Sequence, residues 1–299
     1  MTLASPTTLG EVTPCPICAS SASTLRFREG GHAVQDCDSC GVTFVSPRPS
    51  AERLIAEVYD EGYWTSTAPR ERGYADYRAD AELYRRTFRR RLRALRHLLP
   101  KPGRALDVGC ASGPWVEVLL EAGWDAYGLE PSATIARSAR EVLGERLIEG
   151  TLESARLAAE SFDLITLWDV IEHLPAPVEA LCRVRDLLAP GGRVVIETQD
   201  VASPVARLAG RRWHHFKHRE HLVHFSPQTL EGSLERAGLR LLDLRRRGAG
   251  KFVRGEFLVE RSARLHHRAP GLLRPLLGGQ WSIYVNPGDE MIAVAERVR

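Results

Sequence analysis

From residue 104 onward, short apolar runs alternate with segments in which apolar residues return every three to four positions. The runs RALDVG (104–109), DAYGLE (125–130), RLIEG (146–150), FDLITLWD (162–169) and GRVVIET (192–198) predict strands, and the segments between them predict helices. Strands separated by helices predict an α/β fold with a doubly wound, mostly parallel sheet. Two further runs, LRLLDLRR (239–246) and EMIAVAERV (290–298), lie either side of a long insertion at about 248–289, so one of them is expected to run antiparallel. Upstream, residues 51–64 predict a short helix and an aromatic turn. Residues 74–99 predict one long amphipathic helix, stopped by Pro100 and Pro102. No repeat or low-complexity tract interrupts this order.

Composition narrows the function classes. Of 299 residues, 43% are hydrophobic and 26% charged, as in ordinary globular proteins, and the formal net charge of +3 does not suggest a chain that lives on nucleic acid. The basic runs YRRTFRRRLRALRH (84–97) and LRRRG (244–248) read as solvated faces. The first residues have no basic start followed by an apolar run, and no apolar stretch is long enough to span a bilayer. A cytoplasmic location with reduced cysteines is expected, with no membrane partner.

Four of the six cysteines form two Cys-x-x-Cys pairs, Cys15 with Cys18 and Cys37 with Cys40. Two residues between thiolates suit a tight turn that aims both sulfurs at one ion, and two such turns complete a tetrahedral zinc site. Four thiolates leave no open coordination position, so the expected zinc is structural. The chain is thus expected to divide into a zinc ribbon (1–50), a helical linker or lid (51–99) and a main α/β domain (100–299). Cys110 and Cys182 read as packing residues.

The segment ALDVGCASGPWVEVLLEAG (105–123) reads as strand, glycine turn and helix. Gly109 and Gly113 permit close approach of a ligand, and Asp107 sits at the strand's end. The second strand ends in Glu130, placed to accept hydrogen bonds from both hydroxyls of a ribose. The turn is D-x-G-x-x-x-G instead of G-x-G-x-x-G. Its extra acid opposes a pyrophosphate and suits a zwitterionic amino-acid tail.

Taken in order, LDVGCASG, GLEPS, FDLITLWDVIEHLPAP and LLAPGGRVVIET resemble the class I S-adenosylmethionine-dependent methyltransferases over roughly residues 100–299. Ala111 stands where many members have another glycine. The resemblance implies a seven-stranded Rossmann-like sheet and S-adenosyl-L-methionine as cofactor. It implies that Asp107, Gly109 and Gly113 line the methionine moiety, that Glu130 holds the ribose, and that Thr151 and Leu152 border the adenine. Trp168 and Asp169 would then face the cofactor from the other side, with core packing the alternative for Trp168.

Five of the chain's ten histidines fall in WHHFKHREHLVHF (213–225), ahead of a predicted helix SPQTLEGSLERAG. In an open α/β sheet this stretch crosses the strands' carboxyl ends, where ligands bind. Glu220, His221, Phe225 and Ser226 resemble the corresponding segment of sugar C-methyltransferases, which carry an N-terminal zinc ribbon and use a histidine of that segment as base. His218 replaces the tyrosine usual there, and their large C-terminal domain has no counterpart. A second resemblance, to ubiquinone-type O-methyltransferases and small-RNA 2′-O-methyltransferases, implies a divalent Mg or Mn site from Asp169, Glu172, His173 and His221. Otherwise Glu172 and His173 hydrogen-bond substrate or backbone.

The histidine stretch is therefore expected to be a reaction-site wall with one base, not a zinc cluster. His221 is the expected base, titrating near the usual imidazole value of about 6.5, with His173 the alternative. His214, His215, His218, His224, His266 and His267 are expected at the surface or the substrate border. The expected function is methyl transfer to a small molecule such as a sugar, polyketide or aromatic intermediate, with oxygen favoured over carbon as acceptor. RNA 2′-O-methylation and a non-catalytic assembly role are the alternatives.

Overall fold

A computed structural model describes residues 13–29, 31–66, 77–256, 259 and 281–298. In chain order the strands are β1 Ser23–Glu29, β2 His32–Cys37, β3 Thr43–Ser46, β4 Arg104–Val108, β5 Asp125–Glu130, β6 Leu147–Glu149 and β7 Phe162–Trp168. They continue with β8 Leu188–Gln199, β9 Val223–His224, β10 Leu239–Arg245, β11 Lys251–Arg254, β12 Ser282–Val285 and β13 Glu290–Arg297. The α-helices are α1 Ala51–Glu57, α2 Glu61–Trp64, α3 Ala81–Leu95, α4 Pro114–Glu121, α5 Ala133–Leu143, α6 Pro177–Leu187, α7 Pro204–Ala209 and α8 Pro227–Arg236.

The main sheet has seven strands in the order β10-β13-β8-β7-β4-β5-β6. The strands from β8 to β6 are parallel neighbours, and β13 runs antiparallel to both β8 and β10. The single reversed strand is the one after the 248–289 insertion. Within that insertion β11 and β12 pair as a separate antiparallel ribbon. His266 and His267 lie outside the described residues.

Successive residues of the central strands feed two different cores. Leu106, Val108, Ile165, Leu167, Val194 and Ile196 pack on the side of α6 and α8, while Ala105, Leu164 and Val195 face the side of α4 and α5. A parallel strand covered on both faces needs apolar residues at every position, which is why these runs do not alternate with polar ones.

The long predicted helix begins later than its periodicity suggests. A 3-10 turn at Arg78–Asp80 precedes α3, and the first part of the predicted span lies outside the described residues. Nor is its basic face simply solvated. Arg85 pairs with Glu117 and Arg89 with Glu121, both on α4. Arg86 lies over the Phe252 ring and Arg90 over Tyr284, each 4.2 Å from the centroid. The row of arginines clamps α3 to its neighbours.

The ribbon is not a separate body either. The strands β1-β2-β3 continue into β9, which comes from the histidine stretch, with Thr43 opposite His224 and Phe44 opposite Val223. Ile17, Val42 and Phe44 share one apolar core with Leu222, Val223, Phe225 and the sheet face. A boundary at residue 50 marks a change of sequence texture but not a break in packing.

Candidate active site

The turn after β4 brings the backbone to its neighbours without room for side chains. Gly109 has φ +70°, and a Cβ there would lie 2.7 Å from Val170 Cγ2. Gly113, at φ +88°, is the N-cap of α4, and a Cβ there would lie 2.8 Å from Leu143 Cδ1. Ala111 also adopts positive φ, at +50°, a conformation that glycine takes more readily. Its N–H donates to Glu130 Oε2 at 2.9 Å, and Ser132 N–H donates to Oε1 at 2.8 Å. These two bonds set the carboxylate's orientation and leave lone pairs for a ligand. Asp107 accepts from Thr166 Oγ1 at 2.6 Å, and Thr166 in turn accepts from Trp115 Nε1.

A cavity of about 1020 Å³ opens above the carboxyl ends of these strands. Ligand pockets range from about 300 to 1,000 Å³, so this one stands at the top of that range. Asp107, Gly109, Glu130, Thr151, Leu152, Trp168, Asp169, His173 and His221 line it. Gly113 and Glu220 are not among its lining residues. Gly113 serves the shape of the turn, and Glu220 is buried and ion-paired with Lys217 Nζ at 3.0 Å. Trp168 both lines the cavity and packs in the core, edge to face with Trp115 and under the Arg91 guanidinium. Asp169 takes φ +53°, which costs a residue with a Cβ on the order of 1–2 kcal/mol and is typical of functional turns.

The histidine stretch divides its members between two environments. His218 and His224 are buried toward the ribbon beside Phe27 and Phe216, and burial pushes His224 down to about 3. His215 and His221 line the cavity. His221 Nδ1 lies 2.8 Å from the His215 carbonyl oxygen. A carbonyl only accepts, so Nδ1 carries the proton and Nε2 of the neutral ring has the lone pair. Burial, with His173 and Lys217 nearby, pushes His221 well below the ordinary imidazole value. The His221 ring is thus neutral at neutral pH, and does not titrate near the expected value of about 6.5. Phe225 is core, and Ser226 caps α8 through a reciprocal pair of hydrogen bonds with Thr229.

Of the four residues implied as a Mg or Mn site, Glu172, His173 and His221 bring ligand atoms within 4.8 Å of one another, and Asp169 is outside that group. Glu172 is already committed, accepting from Thr198 Oγ1 at 2.9 Å and from Gln199 Nε2. Burial, then the charge of Asp169, pushes it up to about 8. The acids around the glycine turn are raised as well. Burial takes Asp107 up to about 8 and Glu130 up to about 7. Two buried carboxylates with no cation acting on them among the described residues suit a positively charged ligand.

The four ribbon cysteines converge, all sulfurs lying within 4.8 Å, with Cys15–Cys40 and Cys18–Cys37 separated by 3.5 Å. Tetrahedral Zn–S bonds of about 2.3 Å give sulfur–sulfur edges of about 3.8 Å, close to this spacing. Gly41 and Ala19, each just past a cysteine pair, take positive φ and close the two turns.

Several site residues carry no sequence signal. Tyr59 Oη hydrogen-bonds His173 Nδ1 at 2.8 Å across a large sequence separation. Arg91 reaches from α3 to a buried ion pair with Glu197. Glu290, from the reversed strand, lines the cavity and pairs with Lys251 at 3.0 Å. Of the aromatic turn within 51–64, Tyr59, Tyr63 and Trp64 line the cavity.

The profile of the methyltransferase domain family matches residues 77–244, more than half of the chain. The chain belongs to this family. Over 164 residues this methyltransferase domain is 27% identical to the ubiquinone biosynthesis O-methyltransferase of Xanthomonas axonopodis pv. citri, spanning 49% of the chain and 66% of that protein. Over 136 residues it is 31% identical to the tRNA U34 carboxymethyltransferase of Desulfotalea psychrophila, spanning 43% of the chain and 42% of that protein. The chain therefore spans less than two thirds of the length of these curated relatives. Among solved structures, it resembles Burkholderia thailandensis 1,6-didemethyltoxoflavin-N1-methyltransferase, determined with 1,6-didemethyltoxoflavin and S-adenosylhomocysteine. That match has a TM-score of 0.52 and 16% identity, covers 92% of this chain and 99% of the other, and shows a common fold. Among the described residues, no helix is long and apolar enough to cross a membrane.

Proposed function

We propose that the chain is an S-adenosylmethionine-dependent methyltransferase that methylates a hydroxyl of a small-molecule acceptor, with His221 as the base. The observation that carries this reading is the shared cavity. Its wall includes both the glycine turn with Asp107 and Glu130 and a neutral His221 whose Nε2 is the unprotonated nitrogen. The cofactor, when bound, supplies a methyl on a cationic sulfur. Glu130 accepts from its ribose hydroxyls, Asp107 faces the cationic methionine end, and Thr151 and Leu152 border the adenine. Trp168 helps to exclude water, and His221 takes the acceptor's proton as the new bond forms. His173, held by Tyr59, supports the ring of His221 and is the alternative base.

A second reading, metal-assisted transfer, rests on the convergence of Glu172, His173 and His221. Zinc in the Cys15–Cys18–Cys37–Cys40 ribbon is proposed as structural. RNA as acceptor is disfavoured because the arginines of α3 are engaged with α4 and the β11–β12 ribbon. The test is S-adenosylhomocysteine formation with a panel of phenols, catechols and sugars, with and without chelator. An active acceptor whose turnover survives chelation and is lost in His221→Asn supports the free-base reading. Turnover that chelation abolishes and Mg²⁺ or Mn²⁺ restores supports the metal reading.

A further inference from the structure

A second group of donors lies beside the cavity. His214 Nδ1 and His215 Nε2 each lie 3.8 Å from one oxygen of Asp289, Oδ2, and His215 Nε2 is also 3.8 Å from Glu290 Oε1. The donor atoms of His214, His215 and Asp289 lie within 4.8 Å of one another. Contacts of 3.8 Å are too long for hydrogen bonds. They are close to the edges of about 3.4 Å that nitrogen and oxygen ligands form around an ion held tetrahedrally at about 2.1 Å.

Asp289 is what makes this a site instead of a cluster of surface histidines. It is fully buried, and its Oδ1 has no hydrogen-bond partner among the described residues. Its Oδ2 receives the Trp213 Nε1 proton at 2.8 Å, the kind of outer contact that orients a ligating carboxylate. A buried carboxylate with one oxygen unsatisfied is costly unless a cation completes it. Lys251 pairs with Glu290, and Arg246 pairs with Asp200.

We infer that His214, His215 and Asp289, with Glu290 at its edge, form a binding site for a first-row divalent transition metal. Two imidazoles with carboxylate oxygen suit Zn²⁺, Fe²⁺ or Co²⁺ better than Mg²⁺. The site opens onto the main cavity through His215 and Glu290. It also bears on the base, because the His215 carbonyl is the acceptor for His221 Nδ1–H. An ion on the His215 ring anchors the residue that orients His221. The site is separate from Glu172, His173 and His221 and does not depend on the methyl-transfer reading, because its test is metal binding itself.

The experiment is titration of the zinc-loaded full chain with Co²⁺, followed by visible absorption and by the zinc released. The expected result is one added Co²⁺ without thiolate charge-transfer absorption, bound at least tenfold more weakly in His214→Ala and in Asp289→Asn and unchanged in Glu172→Gln. His214 is partly exposed, so its truncation should leave the fold intact, and thermal unfolding of each variant checks this. The inference is overturned if cobalt enters only by displacing ribbon zinc, if neither variant weakens binding, or if Glu172→Gln is the variant that abolishes it.

Discussion

The rings of His221 and His173 meet edge to face, with centroids 4.7 Å apart and planes at 89°. One residue on each side of this pair is tied to the other strand of chain. Leu222 N–H donates to the Glu172 carbonyl at 2.8 Å, while the Leu222 carbonyl accepts from Val45 N–H of the ribbon at 2.9 Å. The histidine proposed as base is thus clamped between the turn after β7 and the ribbon.

Replacing His221 by Asn keeps an N–H able to reach the His215 carbonyl and removes the basic nitrogen. Turnover should fall on the order of 10²-fold or more, with cofactor affinity unchanged. Because burial depresses this imidazole, it is neutral above its lowered value, and activity should be lost only as pH falls well below about 6.5. Steady-state rates across pH for both proteins check this. An acid limb centred at the ordinary imidazole value in wild type would contradict the buried setting, and full activity of the variant would remove His221 from the mechanism.

Glu130→Ala should weaken S-adenosylmethionine binding at least tenfold. Each hydrogen bond to a charged acceptor contributes on the order of 1.5–3 kcal/mol, and the ribose makes two. Calorimetric affinities within twofold of wild type would mean that the ribose lies elsewhere.

The same acids predict a pH dependence of binding. Glu130 and Asp107 are raised to about 7 and about 8, so each is ionised above that value and protonated below it. A cationic ligand favours the ionised forms, so affinity should rise with pH through this range. Each linked proton changes it by at most about tenfold per pH unit. Calorimetry between about pH 6 and 8.5 in buffers of differing ionisation heat reads both the affinity and the protons released. A flat profile would show that the two carboxylates do not meet the ligand's charge.

About one tightly held zinc per chain should accompany the four ribbon cysteines. Elemental analysis of protein purified without added zinc checks the content. Because β9 is paired to β3, stripping the zinc should also loosen the histidine stretch, read as faster hydrogen exchange at Leu222 and Val223. A zinc-free preparation with unchanged exchange and unchanged thermal unfolding would refute the structural role.

Arg91→Ala should destabilise the fold by roughly 3–5 kcal/mol, because it strands the Glu197 carboxylate in the core. Arg91→Met combined with Glu197→Leu should recover most of that loss. Denaturant midpoints of the three proteins decide it, and a mild single variant would show that Glu197 is already neutral.

The elements whose signal is local were legible in the chain itself. Every predicted strand of the main sheet is present, because a doubly covered parallel strand needs a continuous apolar run and tight turns need glycine on either side. The placement of Asp107, Gly109 and Glu130 was legible for the same reason: they sit at strand ends, and a strand end fixes its residue at the mouth of the sheet. The paired cysteines carried their geometry in their spacing. Contacts between distant segments had no such signature. Nothing around Tyr59 announces that it bonds His173, nothing in the arginine helix singles out Arg91 for Glu197, and nothing in the histidine stretch says which rings face the cavity. Those assignments depend on β9 joining the ribbon and on β13 returning antiparallel beside β8, which brings Asp289 and Glu290 to the histidines. Pairing of remote strands follows from which faces are left to bury once the whole chain has collapsed, and only the tertiary structure contains that information.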